Sequence, residues 1–131
     1  FLPLHPGKYA KMLGEKMQEH KVNVWMINTG WTGGVYGTGN RMKLKYTRAM
    51  ITAALEGKLN DIEFEADPIF GFAIPKECPN VPTEVLNPIN TWTDKTAFKE
   101  KSKYLAGLFV KNFDKYADGV TEEVLAAAPK A

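Results

Sequence analysis

Residues 28–48, NTGWTGGVYGTGNRMKLKYTR, gather five of the chain's eleven glycines into one short stretch and follow them with a row of cations. The combination suits a nucleotide. Glycine lets a ligand approach the main chain closely, and arginine offers a planar fork of donors that pairs with phosphate or lies against an aromatic base. A phosphate-cradling loop needs G-x-x-x-x-G-K-[ST] after a strand and opening a helix, so that main-chain N–H groups and the helix N-terminus hold the anion. Gly34 and Gly39 have that spacing, but Asn40 and Arg41 stand in the Lys and Ser/Thr places, and the next stretch reads as a strand. The dinucleotide pattern G-x-G-x-x-G also breaks, because Gly37 and Gly39 are followed by Met42 at the third site. What remains is a glycine-rich connection between strands. The residue after it, Arg41, is either a solvated cation or a nucleotide contact, and Thr47 is either a helix cap, a ligand contact or both.

Other constellations point to packing. His5 and His20 lie on opposite sides of the first helical pattern, which does not make a metal pair. Glu63, Glu65 and Asp67 alternate along one strand face and read as solvated acids. Trp25, Trp31 and Trp92 read as packing residues. The single cysteine, Cys78, excludes an internal disulfide and reads as a small apolar side chain in a reducing compartment. On spacing alone, the sequence contains no complete active site. At 131 residues and 44% hydrophobic, the composition is that of one globular domain or a piece of one. A net charge of +2 argues against a general nucleic-acid or membrane surface, and no apolar run reaches the roughly 20 residues that span a bilayer. A cytoplasmic location is expected. The chain opens on Phe1 and in mid-pattern, which suggests a segment of something longer.

The elements that must position Arg41 and Thr47 follow from periodicity. Residues 6–20 carry Pro6 at a helix-opening place and Tyr9, Met12, Leu13 and Met17 at helical spacing, an amphipathic helix. VNVWMIN, residues 22–28, has five apolar, β-favouring residues of seven and reads as a buried strand. In RMKLKYT, Met42, Leu44 and Tyr46 alternate with Arg41, Lys43 and Lys45, the signature of a strand with one cationic face. Thr47 then reads as the N-cap of a short helix stopped by Gly57. IEFEAD and PIFGFAIP suggest short strands, and residues 76–92 an irregular ordered loop. From Thr93 to about Ala117 a long helix is expected, with Phe98, Leu105, Leu108, Phe109, Phe113 and Tyr116 as its apolar stripe. Gly119 ends it, and a further short helix can follow. The fold class is α/β, a mixed α+β arrangement of short strands covered by amphipathic helices.

Read in order, FLPLHPGKYAKML, NTGW with its glycine loop, GNRMKLKYTRAMITAAL, FGFAIPKECPNVP, LNPINTW and LAGLFVKNFDKY resemble the C-terminal portion of ATP-dependent phosphoenolpyruvate carboxykinases. The resemblance implies that residues 1–131 are a C-terminal segment of the nucleotide-binding catalytic domain of that much longer enzyme. The family converts oxaloacetate and ATP to phosphoenolpyruvate, ADP and carbon dioxide, a lyase reaction of gluconeogenesis. Its phosphate loop, its substrate arginines and the ligands of its divalent metal, Mg or Mn, lie upstream of the matched stretch. Carried over residue by residue, the ATP contacts of the adenine and ribose side fall on Arg41, Met42 and Thr47. The family usually has a lysine where this chain has Asn40. The implied partners are the remainder of the same enzyme with ATP and oxaloacetate, without nucleic acid or membrane, and the segment alone is expected to be inactive. The alternative is a stand-alone, non-catalytic nucleotide-binding or structural module.

Overall fold

The computed structural model describes residues 3–130. The first helix, α1, spans Pro6–His20. Pro6 stands at its start, where a missing N–H costs nothing, and the His5 ring nitrogen accepts the Gly7 N–H at 3.1 Å. After α1 the chain runs through residues 22–29 without regular structure and enters a hairpin of two short antiparallel strands. These are β1, Trp31–Thr32, and β2, Asn40–Arg41, with Trp31 opposite Arg41 and Thr32 opposite Asn40. Helix α2, Leu44–Leu55, follows almost at once and stops at Gly57, whose φ of +69° suits a residue without a Cβ.

A second hairpin pairs β3, Phe64–Ala66, with β4, Ala73–Pro75. Asp67 turns its tip: its carboxylate accepts the Ile69 N–H at 3.0 Å, and its own N–H donates to the Phe72 carbonyl at 2.8 Å. The proline-rich stretch is ordered by two 3-10 turns, Thr83–Val85 and Pro88–Thr91. Helix α3, Lys95–Phe113, starts at Asp94, whose carboxylate accepts from the Thr96 and Ala97 N–H groups at 2.8 and 3.0 Å. A short helix, α4, Glu122–Ala126, is capped by Thr121. The mixed α/β character expected from the sequence is what the chain adopts.

The core is small. Ala53 of α2, Leu59, Cys78 and Val81 are buried together, and Trp25, Tyr46, Met50, Ile62 and Leu86 pack around them. Two aromatic contacts lie outside this cluster: the Phe70 ring meets Phe109 of α3 edge-on with centroids 6.3 Å apart, and Trp92 meets Phe98 at 5.5 Å.

Three expectations are corrected. The alternation in RMKLKYT does not make a strand beyond Arg41, because Leu44 already begins α2. Its lysines and Tyr46 are tolerated on a helix, and once the hairpin closes at Arg41 no partner strand continues. Thr47 is therefore not the cap. Lys43 holds the N-cap position with no side-chain hydrogen bond, and Thr47 lies inside the helix. Finally, VNVWMIN has no strand partner among the described residues.

The stripe of α3 also differs from its expected burial. Ser102 and Ala106 are the residues it hides, while Leu105, Leu108 and Phe109 stay 43–53% exposed. Because Ala106 is fully buried, adding a leucine there has no room to relax into. Ala106→Leu is expected to destabilise the full-length protein by about 1–3 kcal/mol, read as a lower denaturant midpoint at unchanged slope; an unshifted midpoint would show that this face of α3 is open.

Candidate functional site

The glycine hairpin is built by close contacts between main-chain segments. A Cβ on Gly39 would lie 2.7 Å from the Thr32 carbonyl oxygen and 2.8 Å from that of Gly34, so the two arms touch at a distance only glycine permits. Gly33 and Gly37 take φ of +81° and +88°, which β-carbon sterics discourage. Asn28 locks the entry: its side-chain oxygen accepts the Gly30 N–H at 2.8 Å and its amide donates to the Trp31 carbonyl at 3.1 Å. At the exit, the Met42 N–H donates to the Gly30 carbonyl at 2.8 Å. The Thr32 and Thr91 hydroxyls are 2.8 Å apart, and since Thr91 donates onward to the Pro88 carbonyl, Thr32 is the donor to Thr91.

This frame sets the three residues singled out in the sequence. Arg41 ends β2 with its side chain exposed. Met42, next along, is 6% exposed and anchors the chain, and Thr47 is 7% exposed on the first turns of α2. The structure thus places Arg41 outward, between exposed Asn40 and buried Met42. No ligand contact is defined by this arrangement alone, but its polarity is clear. Arg41, Lys43, Lys45 and Arg48 cluster along the start of α2, and none forms an ion pair among the described residues. No acid occupies the first turn of α2, and no side chain caps it. Lys43 and Lys45 lie 5.8 and 5.1 Å from the centre of the Tyr46 ring. Unneutralised cations beside free helix N–H groups raise the local affinity for anions.

Lys43 as the helix entry escaped the sequence reading because its alternation with Leu44 mimicked a strand. Arg48 and a cleft beyond it were also missed. That cleft, of about 280 Å³, runs from Lys45, Arg48 and Thr52 to Lys58 and Asn80. A second of about 280 Å³ lies between the β3–β4 hairpin and the 3-10 turns, lined by Glu65, Lys76 and Asn87 among others. Neither is lined by Arg41, Met42 or Thr47.

The remaining chemistry-bearing groups are accounted for by structure. Glu63 accepts from Lys76 at 2.8 Å, which holds its carboxyl below the usual range and the lysine above its own; both are solvent-exposed. Glu65 accepts from Asn87. Among the described residues no group of three or more His, Cys, Asp and Glu stands where a metal ion could sit. No described helix is long and apolar enough to cross a membrane.

Comparison with known proteins decides the lineage. The sequence profile described as phosphoenolpyruvate carboxykinase matches residues 1–84. The chain belongs to the phosphoenolpyruvate carboxykinase family. It is 58% identical over 129 residues, 98% of its length, to the phosphoenolpyruvate carboxykinase (ATP) of Flavobacterium johnsoniae, and 56% identical over 129 residues to that of Christiangramia forsetii. The Thermus thermophilus protein of the same name is 53% identical over 130 residues. The chain spans only about a quarter of the length of these carboxykinases, 24–25% of each.

Cys78 lies in the core of this carboxykinase segment, and burial pushes its thiol pKa up, which lowers the thiolate fraction at neutral pH. Iodoacetamide at pH 7.5 is expected to alkylate the Cys78 peptide much more slowly in the native full-length protein than in denaturant, with the native rate rising as pH increases. Equal rates, followed by mass spectrometry, would mean that the thiol is open.

Proposed function

We infer that this chain is the C-terminal part of an ATP-dependent phosphoenolpyruvate carboxykinase that converts oxaloacetate and ATP to phosphoenolpyruvate, ADP and carbon dioxide, a lyase activity of gluconeogenesis. Within that enzyme, residues 41–47 form the wall on the adenine and ribose side of the ATP site. The supporting observation is the placement of Arg41: a cation without an ion pair among the described residues, turned outward by a glycine clasp, at the position where the family resemblance puts an ATP contact.

The chemistry divides accordingly. Phosphoryl transfer depends on positioning and on charge neutralisation, and the groups for the second task, metal ligands and a phosphate loop, belong to the rest of the polypeptide. This segment's share is positional. Arg41 supplies a donor fork or a stacking plane for the nucleoside, Met42 an apolar floor, and Thr47 the edge of a hydroxyl behind it. The cations at 43, 45 and 48 add a favourable field for a polyanion approaching this face. A divalent ion, held by the remainder, would supply charge stabilisation at the phosphates. A stand-alone nucleotide-binding module is the weaker reading, because the relatives that match along nearly the whole chain are about four times as long.

Arg41→Ala in the full-length enzyme is expected to weaken ATP binding by about 1.5–3 kcal/mol, roughly a ten- to 150-fold rise in Kd, the scale of a hydrogen bond from a charged group. Arg41→Lys should recover only part of the loss, since an ammonium lacks the planar fork. ATP affinity unchanged in both variants, measured by titration calorimetry, would remove Arg41 from the site.

A further inference from the structure

The charged cleft beside α2 is assembled from three separate pieces of chain. Lys45, Arg48 and Thr52 line it from α2 at spacings of three and four residues, which bring side chains onto one face of a helix. Lys58 enters from just beyond Gly57, and Asn80 from the turn in which the Val81 N–H donates to the Cys78 carbonyl at 3.1 Å. Each piece is pinned by a buried neighbour of the core cluster: Ala53 on α2, Leu59 beside Lys58, and Cys78 and Val81 around Asn80. The donors are therefore fixed at their bases although their tips reach water. Three cations line the cleft and no acid does. Lys45 and Arg48 form no ion pair among the described residues, and the Lys58 ammonium has a Glu56 oxygen at 2.5 Å, outside the lining. Like charges gathered in this way repel one another, and a bound anion relieves that repulsion.

We propose that this cleft is a further anion site of the carboxykinase, taking a small phosphate-bearing ligand and standing apart from the ATP wall. Its volume of about 280 Å³ falls just under the roughly 300–1,000 Å³ of sites that enclose larger ligands, which suits a phosphate group or a short phosphate ester better than a nucleotide. The arrangement of donors favours phosphate over carboxylate. A planar carboxylate is satisfied by one arginine fork, whereas a tetrahedral dianion takes donors from several directions, as α2, Lys58 and Asn80 offer them. The Thr52 hydroxyl and the Asn80 amide add uncharged donors, and the small side chain of Ala49 leaves room between them. Separation from the ATP wall follows from the helix. Thr47 is two residues from Lys45 and one from Arg48, spacings that turn side chains to different faces, and Arg41, Met42 and Thr47 are all absent from the lining. The site stands whether or not Arg41 meets ATP.

Phenylglyoxal labelling of the nucleotide-free full-length enzyme, read by mass spectrometry at Arg48, tests it. Saturating inorganic phosphate is expected to slow labelling of Arg48 roughly tenfold, while chloride and acetate at equal ionic strength leave it nearly unchanged. Lys58→Gln should raise the phosphate concentration for half-protection by roughly tenfold, and Thr52→Val by less, both with ATP affinity unchanged. Glycerol 3-phosphate separates the two sources of the ligand: half-protection at a lower concentration than inorganic phosphate points to a phosphate ester, at a higher one to free phosphate, and either supports the site. Protection by phosphate no greater than by chloride would overturn the proposal, and protection by acetate equal to that by phosphate would overturn its ligand class. Arg48 already unreactive in the ligand-free enzyme would show that the remainder of the polypeptide covers the cleft, and sink the idea. Phosphate protection that vanishes once the nucleotide site is filled with ATP would merge the two sites and defeat it equally.

Discussion

The approach of two main-chain segments at Gly34 and Gly39 governs the geometry of everything that follows in the chain. With no β-carbon on either residue, the hairpin arms close to near van der Waals contact, and the Met42 N–H reaches the Gly30 carbonyl. That closure decides where β2 ends and where α2 begins. It also decides the direction of Arg41, whose successor is buried and whose predecessor is paired across the hairpin. An enzyme that needs a guanidinium at a defined angle can obtain it from strain-free glycine geometry rather than from a salt bridge, which would neutralise the charge it is meant to present.

Helix α2 then serves two masters. Its inward face carries Ala53 and Met50 into the core with Leu59, Cys78 and Val81. Its first turns carry the cations, and Thr47 stands between the two roles as a buried polar residue at the boundary. The core this helix helps to form is slight for a chain of 131 residues, and among the described residues no large side chain is wholly hidden. Hydrophobic stabilisation scales with area removed from water, so a segment with its stripes half-bare depends on neighbours to complete its burial.

Much of this was legible from the sequence. Local signals were reliable where they were chemical: Pro6 opening α1, Gly57 closing α2, and the low periodicity of the proline-rich stretch all correspond to the structure. Errors arose where one pattern served two conformations. Alternating Lys and apolar residues at 41–46 satisfy a strand template, and a helix over the same residues costs little, so the decision fell to the hairpin's closure at Arg41, a tertiary event. The buried-strand reading of residues 22–28 failed because pairing is a property of neighbours, and among the described residues no strand stands beside them. For the candidate site, Arg41 and Thr47 were noticed in the sequence as a cation and a hydroxyl beyond the glycine loop, and Met42 only through the resemblance. Lys43 at the helix entry and the Arg48 side of the cleft were not, because their significance comes from which charges lack a counter-charge in three dimensions.

The bond from the Thr32 hydroxyl to that of Thr91 joins positions 59 residues apart, and Thr91 sits just ahead of α3. Hydroxyl groups swivel about their C–O bonds at little cost, so this joint behaves as a ball-and-socket more than as a weld. The hairpin and the root of the long helix are thus hinged on a pair of hydroxyls rather than on fixed main-chain bonds.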